Sequence, residues 1–95
     1  MSHFYSINPA TETVVFEHQT SSFDHVDHCV QMAYEVFQSW SMRLYEDRKA
    51  IVCRFGQLVR EHFESLVLCV SKETGKPLWE SRLEVQAMIH KVDIS

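Results

Sequence analysis

Ninety-five residues make one domain at most, and a net charge of −4 gives no general attraction to nucleic acid or to an anionic membrane. A hydrophobic share of 45% against 23% charged residues describes a folded chain rather than a disordered one, and two glycines with two prolines leave few turns between long elements. Cys29, Cys53 and Cys69 lack any C-x-x-C spacing, residues 1–5 lack a leader's charged and apolar regions, and no apolar run approaches the roughly 20 residues of a membrane span. A reducing, cytoplasmic setting is therefore expected, with no disulfide framework, no nucleic-acid partner and no membrane partner.

The first expected element is a β-hairpin over about 4–19. Phe4, Tyr5 and Ile7 precede an Asn8-Pro9 break, and Val14, Val15 and Phe16 follow it. Glu12 stands in the turn; if the backbone there needs a positive φ, a residue other than glycine costs about 1 kcal/mol. Ser21 or Ser22 then caps a first helix over about 22–40, with Asp24 in its first turn. Val26, Val30, Ala33, Phe37 and Trp40 recur at four-and-three spacing and form its apolar stripe. A second helix, about 46–73, carries Ile51, Phe55, Leu58, Val59, Phe63, Leu66 and Val70 on one face. Continuous, it would run about 40 Å, twice the ordinary globular length.

The sequence then turns sharply at Thr74-Gly75-Lys76-Pro77. Glycine closes a helix with a left-handed residue at no Cβ penalty, and proline suits the start of the next. The third helix, about 77–94, has Leu78, Val85, Met88, Ile89 and Val92 as its stripe. The closing residues Asp93-Ile94-Ser95 carry no capping signal, and the pattern reads as one that was cut.

Four landmarks in register carry a resemblance: Asn8-Pro9-Ala10-Thr11; Ala33, Phe37 and Trp40; Asp47-Arg48; and Glu73-Thr74-Gly75-Lys76-Pro77 followed by Leu78-Trp79-Glu80. Together they resemble the N-terminal region of the aldehyde dehydrogenase superfamily. The ending, Glu84-Val85, Met88-Ile89 and Lys91 to Ser95, is most similar to the succinylglutamate-semialdehyde branch. That family has Gly at the position of Glu12 and Glu at that of Thr13, so this hairpin turn departs from its pattern. The resemblance implies a truncated piece of the α/β aldehyde dehydrogenase fold, mainly α: a hairpin and three helices that support a nucleotide-binding sheet. It also implies a parent reaction, NAD(P)-dependent oxidation of N-succinylglutamate semialdehyde in arginine breakdown.

None of the family's chemistry is expected within these residues, so no catalytic, cofactor-binding or metal-binding residue is assigned. The catalytic thiol of the family lies in a Gly-Gln-x-Cys context, which Cys29, Cys53 and Cys69 do not share. Cys69, inside Leu66-Val67-Leu68-Cys69-Val70, reads as a small hydrophobe. His25 and His28, which flank Asp27 with Cys29 adjacent, could offer two metal ligands and Asp24 a carboxylate, but they point off the apolar stripe and read as a solvated face. His3, His18, His62 and His90 share no ligand spacing. Thr74-Gly75-Lys76 is no phosphate loop, since a helix precedes it and proline follows. The 95-residue chain alone is expected to be inactive and to bind no NAD. Its expected partners are a second copy, through exposed apolar helix faces, and the rest of the dehydrogenase if present. A free-standing helical interaction module, or a gene remnant, is the alternative reading, and a small metal-binding protein a third.

Overall fold

The computed structural model describes residues 2–94; Met1 and Ser95, the outer ends of the leader and closing-motif readings, lie outside them. The order is β1 (His3–Ile7), β2 (Val14–Gln19), α1 (Phe23–Met42), α2 (Tyr45–Glu61), α3 (Phe63–Thr74) and α4 (Leu78–Ile94).

β1 and β2 pair antiparallel from His3↔Gln19 to Ser6↔Phe16, and a bulge then shifts the register to Ile7↔Val14. The turn is organised by Asn8. Its side-chain oxygen accepts from the Ala10 N–H at 2.8 Å and the Thr11 N–H at 3.4 Å, an arrangement that mimics a backbone turn. The Glu12 N–H returns to the Asn8 carbonyl at 2.7 Å, and Glu12 closes the loop at φ 61°. The positive φ that the turn needs is therefore carried by a non-glycine, at the cost anticipated for it.

Ser22 caps α1, its hydroxyl accepting from the His25 N–H at 3.1 Å. The 46–73 segment is not one helix. It divides at His62, whose φ of −102° and ψ of 19° leave the helical well, so four helices follow the hairpin rather than three. The break has a local cause. The His62 ring Nδ1 lies 2.8 Å from the carbonyl oxygen of Leu58, which also receives the His62 backbone N–H at 3.0 Å. A side chain that reaches back to the i−4 carbonyl competes with the ladder and bends it.

α4 runs back along α3 and then α2, as the exposed ion pairs Arg82–Glu64 at 2.8 Å and Arg60–Asp93 at 3.2 Å mark. The core sits at this seam. Val59, Val67, Val85 and Ser81 are buried, with Phe63, Leu66, Val70 and Ile89 packed against them. α2 approaches α4 closely at Gly56, where a Cβ would stand 2.9 Å from Val92 Cγ1. The expected stripes are only partly inward. Phe55 and Leu58 on α2 and Leu78 and Met88 on α4 stay exposed, while Ser81 is fully buried and its hydroxyl has no hydrogen-bond partner among the described residues.

α1 contributes nothing to that core: no residue of it is buried. The outcome is a flat slab of 48 × 36 × 16 Å. Its radius of gyration, 17.3 Å, exceeds the roughly 12 Å expected of a compact chain of this length. Among the described residues no helix is long and apolar enough to cross a membrane.

Candidate functional site

Chemistry-bearing side chains gather at two places. The first is the junction of hairpin and corner. α3 ends on Gly75 at φ 77°, the left-handed closure anticipated from the sequence, with the Gly75 N–H on the Ser71 carbonyl at 2.9 Å. Pro77 stands just ahead of α4, its carbonyl accepting from the Glu80 and Ser81 N–H groups at 3.1 Å each. The Ser71 hydroxyl donates to the Lys76 carbonyl at 2.8 Å and the Thr74 hydroxyl to the Val70 carbonyl at 2.7 Å. The polar groups of Thr74-Gly75-Lys76 are thus spent on closing one helix. The Lys76 ammonium pairs with Glu84 nearly two turns into the next, and that carboxylate holds its proton affinity above the ordinary lysine value.

The hairpin docks on this corner. Pro9 lies against Gly75, where a Cβ would meet the Pro9 Cγ at 2.7 Å. The Ser6 hydroxyl of β1 donates to Glu73 Oε1, and the Cys69 thiol donates to Glu73 Oε2 at 3.3 Å. Those two donors, Ser6 first, pull the Glu73 carboxyl below its ordinary range. Burial, then the bond and charge of Glu73, push the Cys69 thiol up. A thiol so placed is a poor nucleophile, and the junction is a clamp rather than a reaction centre.

The second place is a half-open groove of 440 Å³ where the end of α1 faces α2 and the tail of α4. Trp40, Tyr45, Val52, Val92 and Cys53 form its apolar wall, with Arg48, Lys49 and Asp93 at its polar edge. Arg60 already holds Asp93, whereas the buried Arg48 Nε has no hydrogen-bond partner among the described residues. Such a lining can hold an apolar group with an anionic end. It contains no histidine to activate Cys53, and its carboxylate, Asp93, is taken up by Arg60.

The other candidates are dispersed. His25 Nε2 lies 3.7 Å from Cys29 Sγ one turn along α1, a contact that does not include His28. Among the described residues no three His, Cys, Asp or Glu side chains converge as metal ligands. Sequence reasoning missed the Ser6–Glu73–Cys69 clamp and the contact of Pro9 with Gly75, although both halves of that contact stood among the four landmarks. No periodicity links residue 9 to residue 75.

A family model described as the aldehyde dehydrogenase family matches residues 1–95. The chain belongs to the aldehyde dehydrogenase family. It is 45% identical over 92 residues to an N-succinylglutamate 5-semialdehyde dehydrogenase of Paraburkholderia xenovorans (strain LB400), covering 97% of this chain and 19% of that protein. It is 44% identical over 92 residues to the protein of that name from Burkholderia ambifaria (strain MC40-6), with the same coverage. The chain thus spans about one fifth of the length of these relatives. The crystal structure of a NAD-dependent benzaldehyde dehydrogenase from Corynebacterium glutamicum superposes with a TM-score of 0.91 at 26% identity, over 96% of this chain and 20% of that one. The hairpin and helices are therefore a piece of the aldehyde dehydrogenase fold.

Proposed function

We propose that these residues are the N-terminal portion of an NAD(P)-dependent dehydrogenase that oxidises N-succinylglutamate 5-semialdehyde to the acid in arginine breakdown, in the cytoplasm. The observation that carries this reading is the 45% identity to a relative of that name over 92 residues, which include the hairpin, the corner and α4. The portion acts as scaffold. The groove around Cys53 holds no histidine, the Cys69 thiol is bonded to Glu73, Cys29 beside His25 lies on an exposed helix outside either gathering of side chains, and the corner spends its polar groups on capping. The catalytic thiol and the nicotinamide site belong to the remainder of such an enzyme.

The test is to purify the whole product of the reading frame that encodes these residues and follow NAD(P)H formation. N-succinylglutamate 5-semialdehyde should be turned over with higher kcat/KM than benzaldehyde, and the 95-residue chain alone should give no NADH and no NAD binding. A stop directly after codon 95, a product that favours benzaldehyde, or NADH formation by the short chain would each overturn the reading.

A further inference from the structure

We draw no further inference here: the strongest candidate, the half-open groove between the end of α1, α2 and the tail of α4 with Arg48 and Lys49 at its polar edge, lies on a chain that spans about one fifth of its relatives' length, and nothing in the structure shows what covers it.

Discussion

Gly75→Ala tests how the hairpin and the corner depend on each other. Two costs should add. An alanine held at φ 77° bears the left-handed penalty of about 1–2 kcal/mol. Its Cβ would also stand 2.7 Å from the Pro9 Cγ, so the hairpin must lift or the corner distort, an overpacking cost of about 1–2 kcal/mol. The expected loss is therefore about 2–4 kcal/mol. Pro9→Ala removes the offending ring carbon and leaves the next nearest, Pro9 Cβ, at an ordinary 3.7 Å. In that background Gly75→Ala should cost only about 1–2 kcal/mol, the backbone share alone. Urea unfolding of the four proteins at one fixed chain concentration, since association and folding are linked, closes the cycle. Equal costs of Gly75→Ala in both backgrounds would remove the Pro9 contact from the account, and a negligible cost in both would remove the left-handed closure as well.

Three further outcomes are expected. Glu12→Gly should stabilise the chain by about 0.5–1 kcal/mol, read as a higher urea midpoint, because glycine accepts φ 61° and returns only part of the gain as unfolded-state entropy. Ser81→Ala should also raise the midpoint, by about 1 kcal/mol, since it deletes a fully buried hydroxyl that has no partner among the described residues. The Glu73 carboxyl titrates below its ordinary value in the fold, so its contribution is present above the unfolded-state value and is lost as pH falls through the lowered one. Glu73→Gln should therefore differ in stability from wild type at neutral pH and converge with it in acid. The same variant should make Cys69 react faster with iodoacetamide, because the neighbour that helps keep the thiol protonated is gone.

The elements best read from sequence were those with a punctuating residue. Ser22, Asn8, Gly75 and Pro77 each act through their own backbone or a near neighbour, so position alone revealed them. The break at His62 carries no such mark. The apolar pattern runs through it without glycine or proline, and the bend comes from a ring reaching its own i−4 carbonyl. Ser81 was missed because residue type was weighed above spacing: Ser81, Val85 and Ile89 recur every fourth residue, and the small Ser81 side chain is fully buried on that face. The α1 stripe was read correctly as a stripe, but a stripe does not say whether its cover lies in the same chain. The clamp of Ser6, Glu73 and Cys69 joins side chains far apart in sequence, and only the folded chain brings them together.

The attachment of the hairpin to the corner sets how the molecule breathes. A two-stranded ribbon is marginal by itself, so β1 and β2 hold their register because Pro9 rests on Gly75 and Ser6 on Glu73. When those two contacts part, the whole ribbon is released at once while α3 and α4 keep their seam. Amide hydrogens of residues 4–7 and 14–19 should then exchange with solvent at one common rate, faster than those around Val67 and Val85. Such a common rate would make the ribbon a cooperative unit of its own, with its lifetime decided nearly seventy residues further along the chain, at the corner.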